Sequence, residues 1–127
     1  MTDFNGFPSK MSYTAVPNIF INNVLPQIDD IGELKVILHI IEALYNKKGY
    51  PRYVSFSELA ANASLMSNFK QTEKPLNELE DALKLAMEHK IILGLSTENG
   101  DIYFVNTEAD RQAASKIKSG EHKVTGI

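Results

Sequence analysis

The sequence contains no cysteine. Disulfides and thiolate metal sites are therefore excluded, and a reducing, cytoplasmic setting is the expected one. Its 7 glycines are scattered and nowhere form a phosphate-cradling loop. Long apolar runs are also lacking. The stretches around Ile40-Ile41 and Ile91-Ile92-Leu93 are far too short for a bilayer, so no membrane partner is expected. Met1 to Gly6 offers no basic cluster followed by an apolar run, so no secretory signal is read there. Finally, a basic excess is missing. Thirteen Lys and Arg face sixteen Asp and Glu, for a net charge of −3. Proteins that bind nucleic acid on their own are usually basic, because neutralised phosphates supply most of the affinity. Any DNA contact would need positive charge concentrated in one place.

The 127 residues fit one domain with a single core. Residues 1–12, with Phe4, Phe7, Gly6 and Pro8, read as an arm that is loose or docks on something. Met11 to Val16 suits a short strand. A brief helix is expected from Ile19 to Leu25, ended by Pro26. Asp30 and Glu33 have the spacing of a capping box, which opens a long helix running to Lys47 or Lys48 and stopped by Gly49. Its wide apolar stripe is Leu34, Ile37, Leu38, Ile41, Leu44 and Tyr45, with Val36, Ile40 and Ala43 on a second arc roughly 150° away. A helix apolar on two sides is central to its own domain or shared with a partner.

Further along, Ser55 and Glu58 form another capping box. A helix from Pro75 to His89 has one apolar face made by Leu76, Leu79, Ala82, Leu83, Ala86 and Met87. Ile91–Ser96 and Ile102–Val105 alternate as strands around Asn99-Gly100, a strong hairpin signal. Thr107 caps a last helix to about Ser119, and residues 120–127 read as a frayed tail. The expected class is mainly α with a small β-hairpin. Over residues 13–119 the order is that of a winged helix-turn-helix, with an added N-terminal arm and helix and a C-terminal helix. The helix from Pro75 holds the position that usually enters the major groove.

Nothing assembles a nucleophile, a base and an oxyanion donor, so no enzyme and no cofactor are expected. His39, His89 and His122 are far apart and lack metal-ligand spacing. His39 reads as solvated surface, and His89 as a group answering a helix dipole. Tyr45, Tyr50 and Tyr53 read as packing around one turn. Candidate DNA contacts are Lys74, Asn77 and Lys84 on the groove helix, with Arg111, Lys116 and Lys118 on the last one. Against them stand Glu78, Glu80, Asp81 and Glu88, and the hairpin tip carries Glu98 and Asp101 without a basic residue. Lys47, Lys48 and Arg52 form a second basic group, explicable as helix-terminal charge.

The residues that carry a family likeness are Val16-Pro17-Asn18 ahead of a short helix and Gly32-Glu33-Leu34 opening the long one. Lys47-Lys48-Gly49-Tyr50, Tyr53-Val54, Ser57-Glu58-Leu59 and the wing ending in Tyr103-Phe104-Val105-Asn106 complete it. In order and spacing, over about residues 13 to 119, they resemble the amino-terminal domain of DnaD-like bacterial replication initiation proteins. That resemblance implies a self-associating winged helix that serves as a scaffold in primosome assembly and helicase loading. In that family DNA binding is mainly the work of a second, carboxyl-terminal domain with a tyrosine-isoleucine-tryptophan motif. This sequence has no tryptophan, and is expected to be either part of a longer protein or a single-domain relative.

Two functions are carried forward. The first is an oligomerisation and scaffold module with replication proteins as partners and weak, non-specific DNA contact at most. Its candidate self-association residues are Phe4, Phe7, Tyr13, Ile19, Phe20, Val36 and Ile40. The second is a winged-helix transcription regulator that binds duplex DNA as a dimer.

Overall fold

Local sequence signals decide where each helix starts, and the computed structural model, which describes residues 3–120, places them as follows. The chain enters without regular structure and reaches a π-helical turn at Phe20–Val24, followed by a 3-10 turn at Leu25–Gln27. The strand expected over Met11 to Val16 is absent, because no partner strand lies beside it to take its backbone hydrogen bonds. Pro26 does not end the brief helix. It sits in the first turn of the 3-10 segment, where its missing N–H costs nothing.

Helix α1 (Ile31–Tyr45) starts at Asp30, whose carboxylate accepts the Glu33 backbone N–H at 2.8 Å. Strand β1 (Val54–Ser55) leads into α2 (Phe56–Ala61), capped by a complete Ser55/Glu58 box. Asn62 caps the single turn α3 (Ala63–Met66). Helix α4 (Pro75–Glu88) has Pro75 in its first turn and ends before Lys90, which adopts φ +62°. Strands β2 (Ile92–Thr97) and β3 (Gly100–Val105) form a hairpin, and Thr107 caps α5 (Glu108–Lys118) by accepting the Asp110 N–H. The hairpin loop is Glu98-Asn99, with Gly100 opening β3 at φ +120°, a value that glycine adopts without strain.

The three strands form one antiparallel sheet in the order β1-β3-β2, with Val54 opposite Tyr103 and Ile92 opposite Val105. β3 is buried on both faces. Tyr103 joins the main core built by α1 and α4 around Ile37, Ile40, Leu79 and Leu83. Ile102 and Phe104 point the other way, into a second core closed by Ala113 and Ile117 of α5. α1 packs on α4, α3 and the sheet, so it is the central helix of the domain. Its buried face differs from the stripe read off the sequence. Glu33, Val36, Ile37, Ile40, Ile41 and Leu44 are inside, while Leu38 and Tyr45 are exposed. The second arc therefore belongs to the core, and the face has turned by a fraction of a helical turn to present it to α4.

Candidate interaction surfaces

Proline at the start of α4 and an apolar stripe of Leu79, Ala82, Leu83 and Ala86 set which side of that helix faces outward. Lys74, Asn77 and Lys84 are all exposed on it, but so are Glu78, Glu80, Asp81 and Glu88. With two cations against four carboxylates this face repels phosphate, and Glu98 and Asp101 extend the same sign along the hairpin. Between α4 and the hairpin lies a cleft of about 420 Å³ whose walls include Glu80, Lys84, Asp101 and Tyr103. Burial, then the charges of Asp101 and Glu80, push the Tyr103 hydroxyl up to about 12.

The other basic candidates are partly engaged. The Arg111 guanidinium donates to Asn106 Oδ1 at 2.9 Å, whereas Lys116 and Lys118 sit exposed in the last turn of α5. Lys47 pairs with Glu58 at 2.7 Å, and Arg52 donates to the Gly49 carbonyl. The three tyrosines do not share one turn. Tyr45 and Tyr50 border one surface cleft, with Tyr50 donating to the Ala109 carbonyl, while Tyr53 stacks edge-on against Phe104 in the second core.

Of the candidate self-association residues, Phe4, Phe7, Tyr13 and Ile19 are exposed, Phe7 by 78% and Tyr13 by 74%. Phe4 and Phe7 stack edge to face on each other at 5.0 Å. Val36 and Ile40, expected at a partner's surface, are fully buried in the main core, and Phe20 is buried except where it lines a groove. A groove of about 610 Å³ runs beside the root of the arm. Its apolar wall is formed by Phe20, Val24, Ile28, Ile37, Ile41 and Ile92, and His89 and Lys90 stand on its border.

Sequence reasoning missed one polar pair, a buried glutamate held by a half-exposed histidine. Glu33 is 0% exposed, and its Oε2 lies 2.7 Å from His89 Nδ1, tying the start of α1 to the end of α4. The Asp30 cap is present, but Glu33 does not close the box, because its side chain turns inward. Glu33 Oε1 has no hydrogen-bond partner among the described residues. The signal was available. Glu33, Ile37, Ile40 and Leu44 are spaced i, i+4, i+7 and i+11, so Glu33 lies on the buried arc. His39 is not a solvated surface group either. It is half-buried, its Nδ1 is 3.7 Å from Glu42, and that nitrogen makes no hydrogen bond among the described residues. His122 and the tail from 121 to 127 lie outside the described residues, as do Met1 and Thr2 of the arm.

Among the described residues no cluster of three or more His, Asp or Glu side chains is arranged to hold a metal. No helix among them is long and apolar enough to cross a membrane. Compared with known protein families, with curated proteins and with solved structures, the chain finds no match.

Proposed function

We propose that this chain is a non-catalytic winged-helix scaffold module of the DnaD-like kind, which assembles with a second copy of itself through its N-terminal segment. The observation that carries this is the distribution of exposed apolar side chains. Among the described residues, twelve large apolar side chains are exposed, and seven of them precede Ile31. That much apolar surface in one segment is characteristic of a site of association. The same chain offers the acceptor, since the apolar groove beside Pro17 and Ile19 is large enough for several side chains. A donor and an acceptor on one surface suit a two-fold, self-complementary contact. The order of helices and strands, with β1 paired to the far strand of the hairpin, supports the winged-helix reading. The acidic outer face of α4 weighs against the reading as a DNA-binding regulator.

Sedimentation of the chain at tens of micromolar tests this, alone and with a short duplex at low and moderate salt. Association that Phe7→Ser and Ile19→Asp abolish, with no salt-sensitive DNA shift, is the expected result. Salt-sensitive duplex binding that Lys74→Ala or Lys84→Ala abolishes would instead favour a direct DNA binder.

A further inference from the structure

The cleft between α4 and the β2–β3 hairpin is a site of a different kind, and it shares no residue with the apolar groove near the arm. Its apolar wall is Phe56, Leu83 and Met87, and its charged rim is Glu80 and Asp101. Among the described residues neither carboxylate forms an ion pair, and neither does Lys84, the one cation on the rim. Tyr103 lines the cleft while only 5% exposed, and no hydrogen bond is made by its hydroxyl within the described residues. The ring is buried while its hydroxyl still reaches solvent, which leaves the oxygen free for a guest in the cleft. Glu80 and Asp101 both bear electrostatically on this hydroxyl, so it sits in their negative potential.

We propose that this cleft receives a lysine or arginine side chain from a basic segment of another protein. The aliphatic stem lies along Phe56, Leu83 and Met87, and the cationic head sits between Glu80 and Asp101. The Tyr103 hydroxyl oxygen accepts a hydrogen bond from that head. A cation has a charge that fits the rim and a phosphate does not, while the phenol can accept from the one or donate to the other. Lys84 opposes the guest, with one positive charge against two negative ones on the rim. Its removal therefore acts in opposite directions on the two classes of ligand. Lys84→Ala strengthens the binding of a basic peptide and weakens the binding of DNA.

The test is a nuclear magnetic resonance titration of the isotope-labelled chain with three probes: an N-acetylated tri-arginine amide, a tri-glutamate control and a short duplex. Saturable shifts centred on Glu80, Asp101 and Tyr103 are expected with tri-arginine alone. Tyr103→Phe keeps the ring and removes the acceptor, so it should weaken binding by about fivefold. Glu80→Gln with Asp101→Asn should weaken it by about tenfold, and Lys84→Ala should tighten it. The proposal is overturned if tri-arginine produces no saturable shift, or if the double neutralisation leaves its affinity unchanged. It is equally overturned if duplex DNA, rather than the peptide, moves these signals. The oligomeric state plays no part in the readout, so a monomeric chain leaves this test intact.

Discussion

The segment before Ile31 and the body that follows it treat apolar side chains in opposite ways. In the body most large apolar residues on helices and strands are inside, with Ile31, Leu38, Tyr45 and Leu76 as exceptions, and β3 supplies two cores at once. Among the described residues of the segment only Phe20 is buried, while Phe4, Phe7, Tyr13 and Ile19 face water. The difference is one of partners within the chain. A helix or strand that packs on α1 or β3 removes its apolar stripe from water, whereas the short turns over 18–27 bury Phe20 and leave Ile19, Ile21 and Leu25 outside. Composition alone does not distinguish the two, because both are rich in Phe, Ile and Val.

The contrast can be broken most severely from the body side. Phe104→Ala empties the centre of the second core, where the ring is fully buried against Tyr53, and should cost about 3–5 kcal/mol in urea unfolding. His89→Ala should cost about 1–2 kcal/mol, because it removes the hydrogen-bond partner of the buried Glu33 side chain from a half-exposed position that water can enter. Adding Glu33→Leu to it should restore part of that loss, since an apolar side chain suits the site better than an orphaned charge. Tyr103 sharpens the comparison through pH. Burial, then the charges of Asp101 and Glu80, push its hydroxyl up from 10.0 to about 12 on folding, so the folded state holds the proton longer. Stability from this group is intact below pH 10 and falls as pH rises toward 12. Chemical denaturation across that window should show the decline, and Tyr103→Phe should lack this part of it. The smallest effect on stability belongs to the segment. Phe7→Ser should change the unfolding free energy by under about 0.5 kcal/mol while weakening self-association, which equilibrium sedimentation measures separately.

Much of the body was legible because its signals are local. Ser55 with Glu58, Thr107 with Asp110, Pro75 at a helix start and Asn99-Gly100 between apolar runs each specify a backbone event within four residues. What failed was long-range. The spacing of Glu33 from Asp30 suits a capping box, and only the distant His89, 56 positions along, draws the side chain inward. Val36 and Ile40 on one arc of α1 and Leu38 and Tyr45 on the other are comparably apolar, so the helix alone cannot say which arc α4 will cover. The acidic outer face of α4 was readable from charge counting. The cleft beside it was not, because Tyr103 and Asp101 meet Glu80 only once the hairpin has folded back on the helix.

The second core has a practical consequence for where this domain can be cut. Ile102, Phe104, Leu93 and Leu95 lie on the sheet face that α5 covers through Ala113, Ala114 and Ile117. A chain shortened to end at Asn106 would keep all three strands and the four preceding helices, yet it would display that face as a flat apolar sheet. Such a surface invites edge and face stacking between molecules. The last helix is thus what keeps the hairpin from becoming a seed for aggregation. A soluble fragment of this protein, for crystallisation or for binding assays, has to extend through Lys118.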